Sequence, residues 1–194
     1  MISRVFAATL ASRLTPVDAV SHWRDVHAGL GAALPGLVRY VQYHPALDAA
    51  GQPVRLAAGR GVVSLLEFAD RPTLEQAFGV DGGSHPALAA ANEDEDNFIE
   101  PGPSAGLVGQ RSTVSGDPGE SAVVVVVTGG LGGRPLPVTA RSHETIVATP
   151  PPLPWDDETW PAVDLVGFGS VDDARAALPD GSITVPFTVV ERTG

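Results

Sequence analysis

Apolar and polar positions along this chain change period several times, and each change marks an element. Residues 2 to 11, "ISRVFAATLA", read as a strand. From Val17 the apolar positions fall at Val20, Trp23, Val26 or His27, Leu30 and Leu34, the spacing of one helix face. Thr15 suits the N-cap and Pro16 the first turn of that helix, and Pro35-Gly36 ends it. "LVRYVQYH" (37–44) is aromatic and β-branched, hence a strand. Residues 45–53 read as a loop and "GVVSLLEF" (61–68) as a third strand. Residues 71–78 open a second helix with Pro72 near its start, and 84–98 continue as helix and then a charged turn. A fourth strand spans 105–114. The order is βαββαβ, the split βαβ of a ferredoxin-like unit.

After a linker, "SGDPGES" (115–121), the pattern begins again. "SAVVVVVTGG" resembles a first strand, and "GVVSLLEFADRPTLEQAF" (61–78) lies on "PAVDLVGFGSVDDARAAL" (161–178) at an offset of 100. Val63, Leu65, Phe68 and Ala77 then meet Val163, Leu165, Phe168 and Ala177. "SITVPFTVVER" (182–192) supplies a last strand. Where the second unit would need its first helix, the chain is rich in Pro and Gly, which break helices.

The expectation is therefore an α+β fold of tandem ferredoxin-like repeats. Residues 1–114 form one repeat; 122–194 form a degenerate second repeat that lacks its first helix. A ferredoxin-like sheet carries helices on one face and must bury the other. Two such sheets from one chain, packed face to face, make an intramolecular dimeric α/β-barrel, a pseudo-dimer that further homodimerisation would extend.

Composition narrows the partners. The chain has 194 residues, 43% apolar, with a formal net charge of −11. That charge disfavours nucleic acid and anionic membranes. The longest apolar run, "AVVVVV" (122–127), is too short to span a bilayer, and "MISRVFAATLASRL" reads as a strand rather than a signal peptide. Cysteine is absent, which excludes disulfides, thiol nucleophiles and Cys-ligated metals and fits a cytoplasmic location.

The candidate chemistry centres on the first helix. Trp23 and His27 are four residues apart and share its apolar face. An imidazole there suits a general acid or base, its ordinary pKa lying near neutrality; it equally suits a core histidine bonded to a backbone carbonyl. Alternation puts Tyr40 and His44 on one face of the second strand and Tyr43 on the other. His22 should point off the core face, His85 starts a helix or contacts substrate from a loop, and His143 either lines the cleft or has no role. "NEDEDNF" (92–98) lacks the spacing of a calcium loop and reads as a solvated helix end, with Phe98 anchoring the turn and Asp96 free to orient a polar group. Trp155 and Trp160 pin the Pro-rich segment 134–161 to the sheet or cover a cleft. No dinucleotide fingerprint, P-loop, zinc-protease helix or nucleophile elbow is present.

The order and spacing of "HWRDVHAGLGAALPGLVRYVQYHP", "LEFADRPTLEQAF" and "EDEDNFIEP" make residues 2 to about 114 resemble the EthD family of dimeric α/β-barrel proteins. The resemblance rests on Trp23, His27 and Leu34-Pro35-Gly36, and on Asp96 and Phe98 later in the chain. It departs from the family pattern at Tyr43, before His44-Pro45, where the family commonly has Asn. It implies a hydrophobic small molecule as ligand, no cofactor, and His27 as catalytic acid or base. Trp23, Tyr40, Tyr43, His44, Asp96 and Phe98 would line the substrate. Relatives of this kind act as cyclases, dehydratases or cofactor-free monooxygenases in small-molecule and natural-product pathways; a noncatalytic binding or accessory role, or haem binding through a histidine, stands beside these.

Overall fold

A computed structural model describes residues 1–191 apart from 57–59, 81, 84, 103, 132–133, 155, 157 and 179–180. Among the described residues nine strands are formed: β1 (Ile2–Thr9), β2 (Leu37–Pro45), β3 (Arg60–Phe68), β4 (Ala105–Gly116), β5 (Val123–Thr128), β6 (Ala140–Ala148), β7 (Glu158–Thr159), β8 (Ala162–Phe168) and β9 (Ser182–Glu191). Five α-helices accompany them: α1 (Pro16–His22), α2 (Ala28–Ala32), α3 (Arg71–Ala77), α4 (Pro86–Glu95) and α5 (Val171–Ala177).

Local chemistry sets the helix starts. Thr15 accepts the Asp18 N–H, Asp70 the Thr73 N–H and Ser170 the Asp173 N–H, each satisfying a donor that the first turn leaves free. Gly36, at φ +69°, makes the left-handed turn from the first helical segment into β2.

The strands run in the order β1-β3-β2-β9-β5-β8-β6-β4, and β4 pairs back onto β1. Eight antiparallel strands thus close a barrel, and closure removes the exposed edges of an open sheet. β7 adds a short parallel pairing to β4. Within 1–116 the order is β4-β1-β3-β2; within 123–191 it is β9-β5-β8-β6. Each set therefore places its strands fourth, first, third, second. The two sets join where β2 meets β9 and where β4 meets β6.

Strand alternation separates two apolar regions. Val5, Val41, Tyr43, Leu65, Val126 and Leu165 point into the barrel. Tyr40, Leu66 and Phe68 point outward beneath the helices, as Val166 and Phe168 do on the other half. One end of the barrel is lined by charge. Glu67, 2% exposed, accepts hydrogen bonds from Ser3 Oγ at 3.2 Å, Arg39 Nη1 at 3.2 Å and Arg111 Nη1 at 2.7 Å, and Arg111 also binds Glu144. Buried charges persist only when paired in this way.

The Pro-rich passage after β5 holds more structure than its composition suggests. No helix is formed there among the described residues, but β6 is, and it completes the β4 seam. Asp156 reaches Arg4 on β1 with two hydrogen bonds, at 3.0 and 2.8 Å. Trp160 is buried in the barrel interior, its Nε1 donating to Glu158 at 3.1 Å. It pins the segment to the sheet. Trp155 lies outside the described residues.

Candidate active site

The helix that carries Trp23 and His27 is not uniform. Between α1 and α2, residues Trp23–His27 form one π-helical turn, in which the Ala28 N–H bonds to the Trp23 carbonyl five residues back. Such a turn widens the helix by one residue and is frequent at functional sites. It is held from the sheet: Gln42 on β2 donates from Nε2 to the Trp23 carbonyl, 3.0 Å away, and to the Tyr40 hydroxyl, also at 3.0 Å. His44 Nε2 donates in turn to Gln42 Oε1 at 2.8 Å.

The widened turn settles which side chains face inward. His27 is buried and Val26 is 48% exposed. It also corrects the expectation for His22, which should point away from the core on a regular helix. Five residues exceed one α-turn but fit one π-turn, so His22 and His27 sit on the same side. Both meet Asp94 near the end of α4: His22 Nε2 lies 2.9 Å from Oδ1 and His27 Nδ1 lies 3.1 Å from Oδ2. Asn97 donates to the same carboxylate at 3.0 Å. Burial pushes the Asp94 carboxyl up, but the bonds from Asn97, His22 and His27 outweigh it and hold the group below its ordinary value. An ionised carboxylate only accepts, so both histidines donate to it. His27 therefore carries its proton on Nδ1, and Nε2 remains an acceptor with no hydrogen-bond partner among the described residues. Burial lowers the His27 pKa, the nearby Asp94 opposing it, so the ring is neutral at pH 7.

Phe98 is fully buried against this cluster. Its ring is tilted over His27 at 4.8 Å and stacks on Trp23 at 6.3 Å, and it fixes the chain after α4.

A cavity of about 490 Å³ opens beside these residues, between the outer face of β1, β2 and β3 and the helices α2 and α4. Its wall is largely apolar, with Phe6, Leu66, Leu88 and Phe98 among the contributors. His27, Tyr40, Arg4, Ser64, Asn92 and Glu95 supply the polar groups. An apolar hollow of this size with a few convergent polar groups suits a small organic molecule. Among the described residues no group of three or more His, Asp or Glu could hold a metal ion, and no helix is long and apolar enough to cross a membrane.

The residues expected from sequence divide as follows. Trp23, His27, Tyr40, Asp96 and Phe98 all border the cavity, Asp96 at its exposed rim. Tyr43 does not: it points into the barrel interior, where burial pushes its phenol pKa up. The alternation that brings Tyr40 to the cavity sends Tyr43 the other way. His44 stands behind the wall rather than in it, its ring 4.8 Å from Trp23 and 5.5 Å from Phe187. Burial lowers its pKa to about 4. His85 accepts the Ala87 N–H at the start of α4, a capping role. His143 bonds Asp164 at 2.6 Å, a buried pair on the other half of the barrel.

Asp94, Asn97, Glu95 and Gln42 belong to the site and carry no distinct mark in the sequence. Asp94 and Glu95 sit in "NEDEDNF", where every acid looks alike. Only the turn imposed by Phe98 decides which of them faces inward.

No protein-family model matches the sequence, and no curated protein matches it. Solved structures do. A crystal structure of an anthrone oxidase-like protein aligns over 100% of this chain and 95% of its own, with a TM-score of 0.56 and 11% identity. An EthD family protein from Bacillus halodurans aligns over 57% of this chain and 98% of its own, at 15% identity and a TM-score of 0.41. A dimeric protein of unknown function and ferredoxin-like fold from Bacteroides fragilis covers 55% of this chain and 92% of its own, at 13% identity and a TM-score of 0.38. The full-length likeness to the anthrone oxidase-like protein is one of fold.

Proposed function

We propose that the protein is an enzyme of small-molecule metabolism that moves a proton on a hydrophobic, oxygenated or aromatic substrate, with His27 as the acid–base group. The observation that carries this reading is the His27–Asp94 pair at the edge of an apolar cavity. Asp94 sets the tautomer and orientation of the ring and stabilises the imidazolium once it forms. Nε2 is the nitrogen left for a bound molecule. Burial, by keeping the ring neutral, leaves it ready to accept a proton at pH 7.

Trp23 and Phe98 shape the pocket, and Tyr40 offers a hydroxyl to a substrate oxygen. Burial keeps that phenol protonated, hence a donor. Proton transfer of this kind needs only the side chains present. Cyclisation, dehydration and cofactor-free oxygenation all begin with such a step. The name of the anthrone oxidase-like neighbour is in keeping with that chemistry.

The barrel fits an internal duplication, residues 1–114 and 122–194, in which the second repeat has lost its first helix and kept no equivalent of the His27 site. The chain then closes its barrel alone. A light-scattering mass of 20.0 kDa per particle tests that reading, and a doubled mass shows further pairing.

The decisive experiment for function is His27→Ala. Incubation with phenols and polycyclic ketones, followed by mass spectrometry, should show conversion by the wild type, none by the variant, and unchanged circular dichroism. A molecule retained by both proteins without chemical change would instead mean a binding or accessory protein. Wild-type turnover by the variant would end the proton-transfer reading.

A further inference from the structure

Glu95 is the last residue of α4 and directly follows Asp94, yet its surroundings are different. Its carboxyl borders the same cavity as His27 and has no hydrogen-bond partner among the described residues. The cation nearest by chemistry, Arg4 on β1, is already committed: Asp156 grips it through both terminal nitrogens, and its guanidinium lies 5.2 Å from the Phe78 ring centre. Glu100, also on the wall, is engaged by the Ser12 N–H at 2.7 Å. A free carboxyl in an apolar hollow is costly unless it works or stays neutral.

Resting on the reading of His27 as a base, we propose that Glu95 is the acid facing it, and that the pair suits the cavity to ketones with an acidic α-C–H bond, interconverting them with their enols. In the forward step the α-C–H bond breaks and its proton passes to His27 Nε2. The electron pair forms the C=C bond, the C=O bond becomes single, and the Glu95 O–H gives its proton to the oxygen. The product is the neutral enol, with imidazolium and carboxylate left behind. The reverse step returns both protons, and exchange with water in between exchanges the α position. No oxidant or cofactor enters this balance. Tyr40, on β2, stands where it can share the oxygen.

The protonation states agree. Burial, with the charges of Asp96 and Asp94 adding to it and Arg4 opposing, raises the Glu95 pKa to about 7, while burial lowers that of His27. The charged and titratable groups acting on Glu95 are thus Arg4 from β1, Tyr40 from β2, and Asp94 and Asp96 beside it, while His27 from the π-turn and Glu100 line the same cavity. Acid and neutral base coexist below the Glu95 value of about 7 and above the lowered one of His27, so exchange should rise to a maximum on the acid side of pH 7.

The test uses the full chain and 2-tetralone in deuterium oxide, following loss of the α-proton signal by NMR. Wild-type protein should accelerate exchange over buffer, with a bell-shaped pH profile. His27→Ala should abolish the acceleration. Glu95→Gln, a neutral isostere, should lower it at least tenfold, flatten the alkaline limb and leave 2-tetralone binding intact, as read from Trp fluorescence; Glu95→Asp should restore part of the rate. If Glu95→Gln exchanges like wild type while His27→Ala does not, the role of Glu95 falls and the His27 reading stands. If the wild type shows no acceleration, the ketone proposal falls; conversion of other compounds that depends on His27 would still uphold the base.

Discussion

His27 directs Nδ1 to Asp94 Oδ2 across 3.1 Å, joining a helix turn to a helix end 67 residues further along the chain. The contact leaves Nε2 as the nitrogen that the proposed proton transfer would use.

Asp94→Asn removes the charge that fixes this tautomer but keeps the shape. Ketone exchange should fall on the order of a hundredfold, the scale of lost acid–base catalysis, with the melting temperature little changed. Nitrogen-detected NMR should show His27 protonated at Nδ1 in the wild type and mixed tautomers in the variant. A wild-type rate with mixed tautomers would show that Asp94 does not position the base.

Gln42 ties the π-turn to β2 through one amide that serves Trp23, Tyr40 and His44. Gln42→Leu fills the space but strands those partners in a buried site. The expected loss is about 2–3 kcal/mol in urea unfolding, the cost of leaving buried polar groups unpaired. Ligand affinity should fall with it, since Trp23 and Tyr40 both shape the cavity.

His44 has a folded pKa of about 4 against 6.5 for the free side chain. The folded state holds the neutral ring, so stability is full above pH 6.5, declines as pH falls towards 4 and is lost below it. The difference amounts to about 3 kcal/mol, at 1.4 kcal/mol per unit. His44→Gln should flatten the acid side of a stability profile measured by thermal melts between pH 7 and 4.

Glu95 works in the opposite direction. Its folded pKa of about 7 exceeds the ordinary 4.5, so its protonated form stabilises the fold below pH 4.5 and that advantage is lost as pH rises through 7. Glu95→Gln should therefore stabilise the protein by up to about 3 kcal/mol at pH 8 and hardly at all at pH 4. Gaining stability while losing exchange is what a functional group kept at a cost should show.

Tyr40 and Tyr43 separate the two faces of β2. Tyr43→Phe should leave 2-tetralone affinity and exchange within twofold of wild type, because its ring lies in the barrel interior. Tyr40→Phe should weaken both. Gly31→Ala gives a third handle: a methyl there would stand 2.8 Å from Tyr40 Cε1 and push that ring into the cavity, so affinity should drop.

Much of the frame was legible because it follows from short-range patterns. The three-and-four spacing from Val17 to Leu34, the stop at Pro35-Gly36 and the alternation of β2, β3 and β8 each correspond to an element. β6 was not legible: its β-branched stretch sits among prolines and glycines, and only pairing with β4 and β8 makes it a strand. The position of His22 is not legible because a regular helix turns it off the core, and a π-turn has no spacing signature when its anchor is a glutamine on a strand. Tyr43 lies away from this cavity because alternation along β2 sends it to the face opposite Tyr40.

Sequence alone determined which residues alternate, where helices start and stop, and that Trp23 and His27 belong to one buried face, since these depend on neighbours within a turn or two. Only the tertiary structure decided that Asp94 rather than Asp96 meets the imidazole, that Glu95 borders an apolar hollow with no hydrogen-bond partner among the described residues, and that eight strands close on themselves. Those outcomes depend on contacts between residues far apart in the chain, and the charge or shape of one partner says little about which distant group will be brought against it.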